Sequence, residues 1–215
     1  YTMRYTDKKD LYQSLNAHLF ARVQLPFGIE YELNYTPYLQ WNEYYLHHSS
    51  EDRSYESTNG ESTRSFTKNF NWQVDNIIRW KRTFADVHSF EVTLLANAEK
   101  GQSWYSKMVA KNYSPNDLLG YHAVDFATVP TIESNDTYQT GDALMARLFY
   151  SFKDTYMLTA SIRRDGYSAF GKQNPHAIFP SVALGWVFTH EKFMKGAQDW
   201  LNYGKLRLSW GQTGQ

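Results

Sequence analysis

The chain has 215 residues, of which 22 are basic and 22 acidic, so its formal net charge at neutral pH is zero. This balance predicts no nucleic-acid partner, and the lack of cysteine excludes disulfide frameworks, thiolate metal sites and thiol nucleophiles. No window approaches the roughly 18 apolar residues of a helical membrane span. Aromatic residues nevertheless make up 17% of the chain, which is typical of proteins that place amphipathic rings at a water–lipid boundary.

An alternation of apolar and polar side chains predicts the first two strands. Odd-numbered positions from Leu11 to Leu25 are mostly apolar, whereas the even-numbered positions between them are mostly polar. After a turn at Pro26–Gly28 the same alternation continues from Phe27 to Asn42. Successive side chains of a strand point to opposite faces. Each segment therefore predicts a strand with one apolar and one polar face.

The same pattern predicts six further strands, at 66–81, 88–100, 138–152, 156–165, 178–189 and 203–211. Strands of about 10–16 residues exceed the usual length of about 5–6 in soluble sheets, and they suit a tilted membrane crossing. Connections after the odd-numbered strands are short, or helix-like at 190–202, and the others are long and polar. The pattern predicts an all-β, antiparallel transmembrane β-barrel segment of about eight strands, with long extracellular loops and short periplasmic turns.

A few residues depart from this pattern. Lys68 and Asp142 fall on the apolar face, but both lie beside long loops, where a charge costs about 0–1 kcal/mol. Asn76 is on the apolar face without such an explanation. Four apolar residues fall on the polar face, which indicates a partly packed interior rather than an open channel: Ile77, Leu95, Met145 and Phe149.

The last third of the chain carries a series of motifs that resembles the barrel of SusC/RagA-type TonB-linked receptors. In order, these are Tyr156–Gly166, Ser168–Gly171, Phe179–Trp186, Glu191–Met194 and Leu206–Gly214. The earlier part is similar in the style of its strands, in the tract 88–99 and in the loop that contains Asn116–Gly120. One departure is Ala169, where the family commonly has Arg before Phe.

The resemblance implies a barrel of about 22 strands, of which residues 1–215 would be a part of the β-barrel domain without its plug domain. It also implies a location in the outer membrane of a Gram-negative bacterium, in contact with lipid and lipopolysaccharide. The implied function is import of nutrients, either oligosaccharides or peptides, driven through TonB and assisted by a SusD-like surface lipoprotein acting as a lid. No enzyme activity, catalytic residue, metal or cofactor is implied.

Charged residues at polar-face positions are candidates for contact with a plug domain or with substrate. Plug contact is favoured, because a plugged barrel must satisfy most inward charges internally. These candidates are Glu30, Glu32, Asp75, Arg79, Glu91, Arg147, Arg163, Lys205 and Arg207.

A second group belongs to the family motif and is interpreted as structural, with ligand contact as the alternative. Arg163, Arg164 and Asp165 are predicted to form an ion-pair cluster at a strand end that braces the following loop. Glycine and aromatic residues of the motif are of the kinds that a tight loop needs. The motif-loop residues are Arg164, Asp165, Gly166, Phe170 and Gly171.

Two other features have competing interpretations. The pair His47 and His48, followed by Glu51 and Asp52, suggests a metal cluster, but a solvated loop is favoured because adjacent residues of a strand point to opposite faces. Aromatic residues expected in the long loops would stack on sugar rings, or, as is favoured, form the outer girdle or a lid interface. They are Tyr55, Trp104, Tyr105, Tyr113 and Tyr121.

Two other classes of protein remain as alternatives. A free-standing eight-stranded outer-membrane barrel would serve as an anchor, an adhesin or an enzyme, since about eight strands can close. A soluble carbohydrate-binding sandwich is disfavoured by the strand length. Pairing of the first strand with the last would support the former, and two packed sheets would support the latter.

Overall fold

The computed structural model describes residues 5–168, 176–197 and 199–213, which form nine β-strands. The strands are β1 (Thr6–Asn16), β2 (Leu19–Leu25), β3 (Ile29–His48), β4 (Glu61–Phe84), β5 (His88–Tyr113), β6 (Ala127–Phe152), β7 (Tyr156–Tyr167), β8 (His176–Trp186) and β9 (Leu206–Gly211). Short 3-10 helices occur at Pro26–Gly28, Glu56–Thr58, Gly120–His122, Val124–Phe126, Phe188–His190 and Lys192–Ala197. Across the described ranges, no helix is long and apolar enough to cross a membrane.

All nine strands belong to one sheet. β1 and β2 both pair with β3, and from β3 to β9 each strand is hydrogen-bonded to the next strand in sequence. The described residues therefore do not form the two packed sheets that a soluble sandwich requires. β1 and β9 stand at opposite ends of the strand order, so this part of the chain does not contain the first-to-last pairing that the free-standing barrel requires.

The first predicted strand is divided into two. Asn16 of β1 is opposite Tyr38, and Leu19 of β2 is opposite Tyr35, so both pairings with β3 follow the same register. Between these pairs stands Pro37, which has no N–H to donate to the ladder, although its carbonyl accepts a hydrogen bond from the Ala17 N–H at 3.1 Å. The missing donor explains the interruption.

The short connections are tight turns, as predicted. Residues 85 and 86, between β4 and β5, have φ angles of 48° and 55°, and residues 153 and 154, between β6 and β7, have φ angles of 52° and 49°. Two successive positive φ angles are the signature of a type I′ turn, whose twist matches that of the flanking strands. The turn predicted at 82–87 is shorter in the structure, because β4 continues to Phe84.

On the side of the long loops, several strand boundaries were predicted wrongly. β4 begins at Glu61 instead of 66, β5 continues to Tyr113 instead of 100, and β6 begins at Ala127 instead of 138. The alternation of apolar and polar residues fades in these extensions while the backbone pairing continues. Trp104, Tyr105 and Tyr113 therefore lie on β5 and not in a loop. At the other side, β8 ends at Trp186 instead of 189 and β9 begins at Leu206 instead of 203.

Contacts divide the chain into two units. The first contains residues 1–17, 37–72 and 101–138, and the second contains residues 18–36, 73–100 and 139–215. The first unit includes the connections 49–60 and 114–126, and it holds the fully buried side chains of Ser62 and Tyr113. The second unit includes the three tight turns and exposes a row of large apolar side chains.

One face of the strands is apolar and open. The exposed fractions are 59% for Leu19, 44% for Leu94 and 51% for Leu184, and Leu33 and Trp72 are only partly buried. A soluble protein rarely exposes so many large apolar residues in continuous rows, whereas hydrocarbon solvates such a face in a membrane barrel. The exposed rows thus agree with the predicted lipid-facing surface.

Candidate functional site

Four charged residues meet on the polar face of the second unit. Arg22 of β2 is directly opposite Glu32 of β3, and Arg79 of β4 joins them. Arg22 Nε and Nη2 donate to Glu32 Oε2 at 3.0 and 2.7 Å. Arg79 Nη1 donates to Glu30 Oε1 and to Glu32 Oε2, both at 3.0 Å. Two arginines and two glutamates thus form a cluster whose charges balance.

Amide side chains complete this cluster. Asn34 Nδ2 donates to the second oxygen of Glu32 at 2.9 Å, and Gln24 Nε2 donates to Glu30 Oε2 at 2.6 Å. Only 8% of Glu32 is exposed, so these bonds compensate for the loss of water. The predicted residues Glu30, Glu32 and Arg79 therefore come together. Arg22 was not predicted, although counting back from the Pro26–Gly28 turn would have placed it opposite Glu32.

The other predicted polar-face residues differ in how they are satisfied. Asp75 accepts hydrogen bonds from Asn97 Nδ2 at 2.6 Å and from Gln73 Nε2 at 3.0 Å. Its carboxylate is therefore hydrogen-bonded by neutral amides and not paired with a cation. Glu91 on β5, Arg147 on β6 and Arg207 on β9 make no hydrogen bond or ion pair with the rest of the described chain. No group among the described residues pairs with these three.

Each of the two arginines without a described partner is opposite a small residue on the neighbouring strand. Arg147 is opposite Ser161, whose Oγ lies 2.7 Å from the Ser181 Oγ, and Arg207 is opposite Gly185. Both arginines are exposed. Lys205 precedes β9, which corrects its predicted place on a strand, and its Nζ lies 2.8 Å from the Met157 Sδ.

The predicted cluster of Arg163, Arg164 and Asp165 is in fact two separate ion pairs. Arg163 Nε donates to Asp165 Oδ1 at 2.6 Å, and these two residues share a face because they are two positions apart. Arg164 points to the other face, where its Nη2 donates to Asp142 Oδ2 at 2.9 Å. The expectation of one joint cluster was therefore wrong.

The motif residues around this pair belong to a strand and not to a loop. β7 continues to Tyr167. Arg164 and Asp165 therefore lie within the strand, at the end of the segment predicted at 156–165, and Gly166, which was predicted in the following loop, lies within it too. Gly166 is buried, and a Cβ at this position would overlap the Asp142 carboxylate, so the residue is needed for close approach of β6. Phe170 and Gly171 lie outside the described residues.

The three polar residues that depart from the apolar pattern, Lys68, Asn76 and Asp142, each contact a neighbouring side chain. The Tyr31 hydroxyl donates to Asn76 Oδ1 at 2.7 Å. This hydrogen bond explains how the polar Asn76 is accommodated on the apolar face. Asp142 is paired with Arg164, and Lys68 Nζ lies 5.1 Å from the centre of the Trp104 ring. Each of these three side chains thus has one local contact that offsets part of the cost of facing hydrocarbon.

His47 and His48 lie on β3, so the prediction of a solvated loop was wrong. Only 7% of His47 is exposed, and its Nδ1 lies 2.9 Å from the Ser62 Oγ. His48 stacks on Tyr55 with ring centres 4.1 Å apart. Within the described ranges there is no group of three or more His, Cys, Asp or Glu side chains that could hold a metal ion.

Asp117 ties the loop 114–126 to this region of the first unit. Its Oδ2 lies 3.5 Å from the His47 Nε2 and accepts the Ser50 N–H at 2.6 Å, and its Oδ1 accepts the Ser50 hydroxyl at 3.1 Å. Burial alone would raise the pKa of the Asp117 carboxyl. The hydrogen bonds from Ser50, helped by the nearby His47, outweigh burial and lower this pKa below its ordinary value of 3.8.

Two glycines make this packing possible. Gly120 has a φ of +50°, and a Cβ there would lie 2.7 Å from the His47 Cγ. Gly60 has a φ of +80°, and a Cβ there would lie 2.7 Å from the Asp117 Oδ2. Both positions combine a left-handed backbone with close contact, so they require glycine. We call the set His47, Ser50, Ser62, Asp117 and Gly120 the loop clasp.

Long antiparallel strands, type I′ turns at one side, long loops at the other and an exposed apolar face opposite a charged face define the wall of an outer-membrane β-barrel. The family model described as TonB dependent receptor-like, beta-barrel matches residues 2–215. The chain belongs to this family, and its relatives are of the SusC/RagA type, as the motifs predicted. Receptors of this family reside in the outer membrane of Gram-negative bacteria.

Similar proteins agree with this assignment. TonB-dependent receptor P39 of Formosa agariphila is 34% identical over 147 residues, which cover 67% of this chain and 14% of that protein. TonB-dependent receptor SusC of Bacteroides thetaiotaomicron is 38% identical over 117 residues, covering 54% of this chain and 10% of that protein. A solved structure of the RagAB peptide transporter has a TM-score of 0.85 at 18% identity, covering 97% of this chain and 23% of that chain. The chain thus spans a small part of the proteins it matches.

Proposed function

We propose that this chain is part of the barrel wall of an active importer that takes up oligosaccharides or peptides through TonB. Support comes from the family match and from the motifs that resemble SusC/RagA-type receptors. The structural observation that carries the proposal is the division of the sheet into two faces. One face exposes apolar rows suited to lipid, and the other carries the balanced cluster of Arg22, Glu30, Glu32 and Arg79.

In this proposal the balanced cluster has a structural role. It connects β2, β3 and β4 on the polar face close to the Pro26–Gly28 turn. Since its charges are satisfied within the wall, it needs no partner when a plug domain moves. Three strands thus keep their register while TonB remodels the plug.

The charged residues without a partner in the described chain are proposed to bind groups outside it. Glu91, Arg147 and Arg207 are proposed to contact the plug domain or the substrate, because an inward charge is otherwise costly in a plugged barrel. The small residues Ser161 and Ser181 lie on the strands beside Arg147, whereas the space over Gly185 is occupied by the Lys205 and Met157 side chains.

A SusD-like lipoprotein is the proposed partner at the long loops. Leu118 is 85% exposed and Leu119 is 56% exposed, yet the loop clasp holds the segment that carries them. Apolar side chains presented by an ordered loop lose little entropy on association. This arrangement supports a protein contact at this loop.

Uptake by living cells tests the proposal. Cells that carry the complete receptor gene, cells in which it is deleted and cells that lack TonB should be compared for uptake of labelled neutral oligosaccharides and labelled peptides. We expect either deletion to reduce uptake of the imported class to the passive level. Uptake that continues without TonB would contradict active import, and uptake that continues without the receptor would contradict its role.

A further inference from the structure

A group of uncharged polar residues lies on one face of β1 and β3 in the first unit. The register places Tyr12 opposite Asn42, Ser14 opposite Gln40 and Asn16 opposite Tyr38. Directly opposite residues of paired strands project from the same face. We call these six residues the tyrosine–amide surface. The other face of the same strands carries Leu11, Leu15, Leu39 and Trp41.

Hydrogen bonds within this surface determine which of its groups remain as donors and which as acceptors. The Tyr38 hydroxyl donates to Gln40 Oε1 at 3.1 Å, and the Tyr12 hydroxyl lies 3.1 Å from the Tyr38 hydroxyl. A phenol has a single proton, so Tyr38 uses its proton on Gln40 and Tyr12 must donate to Tyr38. The Tyr12 oxygen is left as an acceptor, and the Gln40 Nε2 is left as a donor.

The surface also has unused binding capacity. Tyr12 is 59% exposed, and Ser14 and Asn16 are exposed as well. Asn42 Oδ1 is buried and has no hydrogen-bond partner in the described part of the chain, so the amide must turn to present it to a ligand. Because this oxygen has no bond to lose, the amide can turn toward a ligand hydroxyl without cost to the protein's own network.

Two charged residues, Lys8 and Asp10, border this surface on the same face of β1. Lys8 Nζ lies 5.3 Å from the centre of the Tyr44 ring, and Asp10 is the residue opposite Tyr44. The tyrosine–amide surface itself offers flat rings, amide donors and oxygen acceptors. A sugar hydroxyl both donates and accepts, and the apolar side of a sugar ring packs on an aromatic ring. None of its six residues is charged, and the two charges that border it, Lys8 and Asp10, are of opposite sign, so the surface has no net charge to attract a charged peptide.

We propose that the tyrosine–amide surface binds a neutral oligosaccharide on its way through the barrel. This inference rests on the proposed import function and specifies its substrate class and contact residues. The Tyr12 ring stacks on a sugar ring, the Tyr12 oxygen accepts a hydroxyl, and the amides of Gln40 and Asn42 bind neighbouring hydroxyls.

The test measures binding to the complete purified receptor by calorimetry. The probes are a panel of neutral glucan, mannan and xylan oligosaccharides and a panel of peptides of similar length. We expect Tyr12→Ala to weaken oligosaccharide binding about tenfold, through lost stacking and one lost hydrogen bond. Tyr12→Phe and Gln40→Ala should each weaken it about threefold. Gln13→Ala, on the opposite face of the same strand, is the matched control and should bind like the native receptor.

The outcomes separate this inference from the proposed function. Oligosaccharide binding that is unchanged in Tyr12→Ala and Gln40→Ala would overturn the assignment of this surface. Binding of peptides alone would also overturn it, while TonB-dependent uptake of peptides would still support import. If the receptor gives no TonB-dependent uptake of either class, the proposed function itself fails.

Discussion

The His47 Nε2 lies 3.5 Å from the Asp117 Oδ2, and this contact joins the end of β3 to the loop between β5 and β6. Ser62 of β4 holds the other nitrogen of His47, and Ser50 holds Asp117 from the preceding connection. Two connections that are far apart in sequence therefore share one buried network. A loop that is 13 residues long, from 114 to 126, is thereby ordered without secondary structure beyond two short 3-10 turns.

Loss of the Asp117 carboxylate should loosen this loop. Asp117→Ala removes the acceptor of the Ser50 N–H and hydroxyl, and it removes the carboxylate that lies 3.5 Å from the His47 Nε2. Unsatisfied buried groups cost about 1–3 kcal/mol. Amide hydrogens in 114–126 should therefore exchange faster in the Asp117→Ala variant of the complete receptor than in the native receptor. Asp125→Ala, at an exposed position of the same loop, is the matched control and should leave exchange unchanged. Equal exchange in both variants would show that the loop does not depend on the clasp.

The clasp should also weaken in acid. The pKa of Asp117 is lowered in the folded protein, so its ionised form stabilises the fold at pH values above the ordinary pKa of 3.8. This stabilisation is lost as the pH falls below 3.8 and through the lower folded value. The difference in pepsin resistance of the loop between the native receptor and Asp117→Asn should therefore shrink across that range. A difference that grows on acidification would contradict the sign of the shift.

The balanced cluster predicts coupling between Glu32 and Arg79. Glu32→Gln removes the charge on which both arginines converge, so we expect a lower thermal unfolding temperature for the complete receptor. In the double variant Glu32→Gln with Arg79→Gln, the unfolding temperature should fall by less than the sum of the falls in the two single variants, because the residues share one network. Glu56→Gln, at an exposed position of the connection 49–60, is the control and should leave the unfolding temperature unchanged. Additive effects would show that the pair does not act as a unit.

The ion pair on the apolar face makes a different prediction. Arg164→Leu leaves Asp142 facing lipid without its guanidinium partner, which should destabilise the receptor in lipid nanodiscs by about 1 kcal/mol. Replacing both residues by Leu should restore the stability, since neither member of this pair is then charged. The control is Arg163→Leu, whose partner Asp165 is on the opposite face. If the double variant is less stable than Arg164→Leu, the pair has a role other than mutual shielding.

Much of this architecture follows from local chemistry that the sequence displays. The alternation at 11–42 assigns each side chain to a face, because a strand has a period of two. Breaks in the alternation also mark the tight turns at Pro26–Gly28 and Lys153–Thr155. The motifs from 156 onward identified the family. Where alternation fades, as in the extensions of β4, β5 and β6 toward the long loops, pairing of the backbone continues without a signal in the side chains.

Which polar groups meet was decided by the tertiary structure. The sequence placed Glu30, Glu32 and Arg79 on one face, but only the pairing of β2, β3 and β4 shows that Arg22 joins them and that their charges balance. Asn76 was without explanation until Tyr31 of a neighbouring strand supplied its donor. His47 was expected in a solvated loop and is buried by Asp117, which is 70 residues away in sequence. Periodicity determines the face on which a residue lies, whereas strand register and loop packing determine its neighbours, and those depend on contacts between distant segments.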